Sequence, residues 1–165
     1  MKKGYYDFTF ISQDSSSFGR DLGTKKDGLI GLIKTIEKID GVKSARILYL
    51  YPTTMTYELI DTIIESNIFE SYFDIPLQHI DDAMLTTMRR GSKSETIKQM
   101  LAYIKEKDPT AFLRSGFIVG HPEESAEAFA SLCEFIKQSD FERISVFRYS
   151  DEEGTKAHGM QNKVN

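Results

Sequence analysis

The feature that most constrains this chain is an alternation of two periods, repeated along its length. Apolar, β-rich runs occur at Tyr6–Ile11 (YDFTFI), Ala45–Tyr51 (ARILYLY), Tyr72–Leu77 (YFDIPL), Phe112–Val119 (FLRSGFIV) and Ile144–Tyr149 (ISVFRY). Between them the apolar residues take helical spacing. Leu29, Leu32, Ile33 and Ile36 follow the i, i+3, i+4, i+7 rule, as do Ile97, Met100, Leu101 and Ile104, and then Phe129, Leu132, Cys133 and Ile136; Ile60, Ile63 and Ile64 mark a further helix. Ser92 and Glu95 have the spacing of a capping box, and Gly41 suits a helix stop. The predicted order is β-α-β-α-β-α-β-α-β. Strands alternating with helices call for a parallel sheet with right-handed crossovers, either an open doubly wound sheet or a (β/α) barrel. The sequence has neither a G-x-G-x-x-G turn after the first run nor a G-x-x-x-x-G-K loop. In both architectures ligands bind at the carboxyl ends of the strands.

Composition narrows the function classes. The 165 residues suit one domain or part of one, and 40% hydrophobic residues can supply a core. A net charge of −4 with scattered basic residues argues against direct nucleic-acid binding. No apolar run approaches the roughly 20 residues of a membrane span, and no signal peptide follows the basic start, so a cytoplasmic, membrane-free protein is expected. The one cysteine, Cys133, excludes an internal disulfide, and alone it cannot hold an iron–sulfur cluster or a structural zinc.

The strand ends carry the candidate chemistry. In chain order they deliver Ser12, Gln13 and Asp14; Tyr51 and Pro52; Gln78 and His79; Gly120, His121, Pro122 and Glu123; and Arg148, Tyr149 and Ser150. Parallel strands gather these groups on one rim, although turns are polar in any protein. Gly116 and Gly120 flank Phe117–Val119, which suits close approach of a flat ligand to bare backbone beside Ile118, or else a bulge or tight packing. Arg114 places a charge in an apolar strand, which is costly unless a carboxylate meets it. A metal-dependent hydrolase or lyase built on His79, His121 and Asp14, or a non-catalytic docking module, would also fit a polar rim.

The stretches ISQDSSSFGRDLG, LYLYP, DIPLQHIDDAMLTTMRRG, RSGFIVGHPEE and FRYSDEEGT, in this order over nearly the whole chain, resemble the radical S-adenosylmethionine methylthiotransferases. ISQD and IPLQH are similar to the branch acting on an aspartate of ribosomal protein S twelve. The alternative is the branch acting on tRNA adenosine. The resemblance implies a partial TIM-type barrel of about five parallel strands that binds S-adenosylmethionine beside a 4Fe–4S cluster. A 5′-deoxyadenosyl radical would prepare the aspartate β-carbon for a methylthio group. The implied cofactors of the whole enzyme are S-adenosylmethionine and two 4Fe–4S clusters. Its implied partners are ribosomal protein S twelve and a reductant such as flavodoxin or ferredoxin.

The departures are as informative. The family's C-x-x-x-C-x-x-C loop, N-terminal cysteines and TRAM domain have no counterpart in these residues, so residues 1–165 read as part of a radical core domain. No metal ligand set is expected here. Alone, the chain is expected to be inactive and prone to self-association through an open sheet edge. By resemblance, Ser12, Gln13 and Asp14 meet the methionyl amino group, Arg114 the methionyl carboxylate or ribose, and Gly116, Ile118, Gly120 and Tyr149 the adenine. Gln78 and His79 face the reaction chamber. Arg89 and Arg90 meet the acidic target loop, although cations before Gly91 also suit a helix C-terminus without any ligand.

Overall fold

The computed structural model describes residues 3–24 and 28–164. Among the described residues, five strands form one wholly parallel sheet: β1 (Asp7–Phe10), β2 (Ser44–Ile47), β3 (Phe69–Asp74), β4 (Phe112–Val119) and β5 (Arg143–Arg148). The helices are α1 (Gly28–Ile36), α2 (Tyr57–Ile64), α3 (Asp82–Thr87), α4 (Ser94–Lys107) and α5 (Ala126–Gln138). The spatial order β1-β2-β3-β4-β5 repeats the order in sequence. A doubly wound sheet reverses its strand order at a switch point. A sheet that never reverses, joined by crossovers of one hand, keeps its helices on one face and curls as a barrel wall does. The architecture is therefore an open arc of a (β/α) barrel, since β1 and β5 are not paired with each other.

Burial follows this geometry. Leu113, Ser115 and Phe117 of β4 are buried under the helices, whereas Arg114, Gly116 and Ile118 alternate onto the helix-free face. Ala45 and Ile47 of β2 and Phe69 and Phe73 of β3 join the core from the same side. The α4 stripe Ile97, Met100, Leu101 and Ile104 is buried as its spacing requires. The α5 stripe is rotated from its expected position: Ala128, Leu132 and Phe135 are buried, Phe129 is exposed and Cys133 is half-buried.

Three local expectations fail for identifiable reasons. The third strand occupies Phe69–Asp74 rather than Tyr72–Leu77. Ile75 N still donates to Arg114 O at 2.9 Å, but Pro76 has no N–H to offer a ladder, and the next bridge to β4 is Gln78 with Phe117. Ser92 does not cap α4: Lys93 is the cap residue, and the carboxylate of Asp82 accepts from Ser94 N at 2.7 Å. The additional short helix α3 begins at the Asp81 cap, whose carboxylate accepts from Met84 N at 3.0 Å.

Candidate functional site

The carboxyl ends of β3, β4 and β5 enclose a cleft of about 430 Å³ lined by Gln78, Met88, Arg90, Ile118, His121, Phe147, Arg148, Tyr149 and Ser150. Its floor comes from strand alternation. Pairing of Gly116 with Ser145 and of Ile118 with Phe147 puts these side chains on the helix-free face. Phe147 lies 60% exposed there, and the nearest atom to a Cβ built on Gly116 would be Phe147 Cε2 at 3.7 Å. That is ordinary contact, and Gly116 has no left-handed backbone. The fold does not itself require glycine at 116, and its bare backbone lies beside an exposed aromatic ring and Ile118. Gly120 is different: its φ of +77° explains the residue through conformation alone.

The wall on the β3 side rests on Gln78. Its φ is +70°, a region costly for a side-chain-bearing residue. Two backbone bonds hold it there: Gln78 N donates to Gly116 O and Ile118 N donates to Gln78 O, both at 2.9 Å. The left-handed turn interrupts the alternation, and His79 consequently does not face the chamber. It is 0% exposed, with Nε2 3.0 Å from Glu124 Oε1 and Nδ1 accepting from Asp81 N at 3.0 Å. Gln78 lines the cleft and His79 is withdrawn behind it. His121 is buried, its Nδ1 2.7 Å from Pro122 O and its ring edge-on to Tyr149. The ring nitrogens of His79 are both engaged, which does not leave the pair of imidazoles that a zinc site on this rim would use.

Arg90 lines the cleft while Arg89 is exposed with φ +55°. The Arg90 guanidinium lies 4.1 Å from the Tyr51 ring centroid and donates to Pro76 O. Burial lowers its pKa and the nearby Tyr51 and Asp14 oppose this; at ordinary pH the guanidinium stays charged. Tyr149 is tied by its backbone N to Val119 O at 2.8 Å, and burial together with its bond to Asp151 raises its phenol.

The β1 end is a separate, polar knot. Asp14 accepts from Ser16 and Ser17 at 2.7 and 2.5 Å. Ser16 Oγ also lies 2.6 Å from Thr54 Oγ1 and accepts from Tyr51 N, while Ser15 donates to Leu48 O. Ser12 meets Ser15, and Gln13 is exposed. These residues share the rim with the cleft but do not line it. Arg114 is likewise outside the cleft, on the helix-free face, paired at 3.2 Å with Asp74. Asp74 is 2% exposed and also accepts from Tyr49 N at 3.1 Å. Sequence reasoning named Arg114 and not its partner, although a lone aspartate in YFDIPL carried the same signal. Phe147 was also missed; period-2 alternation along β5 from Ser145 would have found it. A further cavity, between α4 and α5 and lined by residues such as Leu101 and Phe135, belongs to the outer helical layer away from the strand ends.

An arc of a (β/α) barrel with a cleft of mixed apolar and polar lining at its carboxyl rim defines the class. Its fold is shared with the crystal structure of Streptococcus suis SuiB bound to S-adenosylmethionine: TM-score 0.59, 14% identity, over 96% of this chain and 33% of that one. No family model matches the chain. Curated relatives do: the ribosomal protein uS12 methylthiotransferase RimO of Sulfurovum sp. is 56% identical over 160 residues, 97% of this chain and 36% of the relative. The RimO of Campylobacter fetus is also 56% identical over 160 residues, with the same coverage. The chain thus matches a segment of proteins named as ribosomal protein uS12 methylthiotransferases. It spans about a third of their length (36%).

Proposed function

We propose that residues 1–165 form part of the S-adenosylmethionine wall of a cytoplasmic methylthiotransferase that places a methylthio group on the β-carbon of an aspartate in ribosomal protein uS12. The observation that carries this is the apolar floor of Ile118 and Phe147 in the cleft, with Gly116 beside it on the same sheet face, together with 56% identity to proteins named uS12 methylthiotransferase. A purine ring stacks on the exposed face formed by Ile118 and Phe147, beside the bare Gly116 backbone, and replaces water there. Gln78 and Tyr149 close its edges with an amide and a phenol, groups that recognise the edge of a base or a ribose hydroxyl. The charged Arg90, held by the Tyr51 ring and, among the described residues, without a carboxylate within salt-bridge distance, suits an acidic side chain of the substrate. Asp14 and Arg114 are each engaged within the chain, so a ligand reaching them would share the Ser16–Ser17 and Asp74 contacts.

Bound here, S-adenosylmethionine supplies the adenosyl and methyl groups of the family's chemistry. The residues of this chain bind it, orient it and exclude water from its ring. An iron–sulfur cluster does not fit the residues present: the single cysteine, Cys133, lies half-buried on α5 and not on the rim.

The test is calorimetric titration of the chain with S-adenosylhomocysteine, with adenosine and methionine as separate competitors. Stacking and a few hydrogen bonds, each about 0.5–1.5 kcal/mol net, support a Kd on the order of 0.1–1 mM. Competition by adenosine and not by methionine is expected; absence of adenosine competition would contradict the reading.

A further inference from the structure

We propose that His79 and Glu124 are positioning residues of the cleft, a buried relay that holds its β3 and β4 walls in register. The inference rests on the reading of the cleft as an adenosyl site, which it deepens. The two side chains are 0% and 4% exposed and join the loop after β3 to the loop after β4. Asp81 N donates to His79 Nδ1, so the ring proton sits on Nε2 and is donated to Glu124 Oε1. The other oxygen, Oε2, accepts from Gly120 N. Glu124 thus receives two donors at once, which a carboxylate can do and an amide of the same shape cannot. With glutamine, one orientation sets its NH₂ against Gly120 N–H and the other sets it against His79 Nε2–H.

The consequence reaches the cleft through the backbone. Gly120 begins the turn that follows Val119, the last residue of β4, and Gln78, beside His79, exchanges two hydrogen bonds with β4. Both Gly120 and Gln78 are left-handed, with φ of +77° and +70°. Glycine takes this conformation freely, but for Gln78 it is costly and persists only where the surroundings fix it. His79 and Glu124 fix both ends from behind and touch no ligand themselves.

The experiment compares the chain with Glu124→Gln, His79→Gln and, as a control at the neighbouring rim carboxylate, Glu123→Gln, whose amide oxygen can still accept from Asn162 Nδ2. First, imidazole ¹⁵N spectra report the His79 tautomer, and amide shifts and couplings report Gly120 and Gln78. The Nε2–H tautomer is expected in the parent chain. Glu124→Gln is expected to move the Gly120 and Gln78 signals while the α4 and β2 amides keep theirs. Second, S-adenosylhomocysteine affinity is expected to fall about tenfold or more in Glu124→Gln and to change less than twofold in Glu123→Gln. A packing role alone predicts that the isosteric glutamine leaves the coupling of Gln78 and the affinity unchanged, and that result overturns the proposal. An Nδ1–H tautomer overturns it too. If the parent chain binds no S-adenosylhomocysteine, the adenosyl reading fails and the relay is decided by the Gly120 and Gln78 signals alone.

Discussion

Asp74 offers the sharpest test of how the helix-free face is held. Replacing it by Ala removes an acceptor from Tyr49 N and a partner from Arg114. A buried N–H left without an acceptor costs about 1–3 kcal/mol, and the exposed setting of Tyr49 puts this site at the lower end. Removing one member of a fully buried ion pair costs about 3–5 kcal/mol. Arg114, however, keeps 31% of its side chain exposed and regains water when freed. That reduces the second contribution to about 1–2 kcal/mol. The expected total is about 2–4 kcal/mol, which for a chain of this size lowers Tm by about 5–15 °C. Asp74→Asn retains an oxygen for Tyr49 N and loses the charge, so it costs about half as much. Urea unfolding followed by circular dichroism measures both, with unchanged m-values expected. Asp74→Ala within about 0.5 kcal/mol of the parent, or Asn as damaging as Ala, would refute the reasoning.

Other outcomes follow from single contacts. Gly116→Ala is expected to leave Tm within about 2 °C, because its Cβ has room beside Phe147, while weakening S-adenosylhomocysteine binding at least tenfold; equal affinity would contradict stacking beside the Gly116 backbone. Gly120→Ala, forced to φ +77°, is expected to destabilise the chain by about 1–2 kcal/mol in the same urea assay. The Glu142 carboxyl is pushed up by burial, but Lys105 and the Leu113 amide outweigh this and hold it below its usual 4.5. A depressed carboxyl stabilises the fold above its usual value and loses that contribution as pH falls further. Stability should therefore decline as pH drops below about 4.5, and Glu142→Gln should flatten that part of the profile. The free edges of β1 and β5 are sites for added strands, so concentration-dependent sedimentation of the chain is expected; a strict monomer at all concentrations would contradict it.

Much of the scaffold was legible because it depends on periodicity. The α4 stripe and the limits of β4 came directly from apolar spacing, and the parallel sheet followed from the alternation of runs. What the sequence hid was set by contacts distant along the chain or by backbone sign. Asp82 displaces the Ser92 cap across 12 residues. Pro76 withdraws the end of the third run from the sheet, and the left-handed Gln78 then reverses the side on which His79 emerges. Alternation cannot show such a reversal, so the glutamine and the histidine look equivalent in IPLQH and differ in the fold. The strand-end glycines look alike as well, yet Gly120 is required by its φ and Gly116 is not. The β1 residues Ser12, Gln13 and Asp14 reach the rim, as strand ends do, but the serines following them turn Asp14 inward to the loop.

The central claim is that the cleft over Gly116, Ile118 and Phe147 takes the adenosyl group. The most direct measurement is an amide chemical-shift map of the chain titrated with S-adenosylhomocysteine. Saturable shifts at Gly116, Ile118, Phe147, Gln78 and Tyr149, with α4 and α5 unmoved, are the predicted result. Saturable shifts confined to the groove around Leu101 and Phe135, or none anywhere at millimolar ligand, would contradict the account.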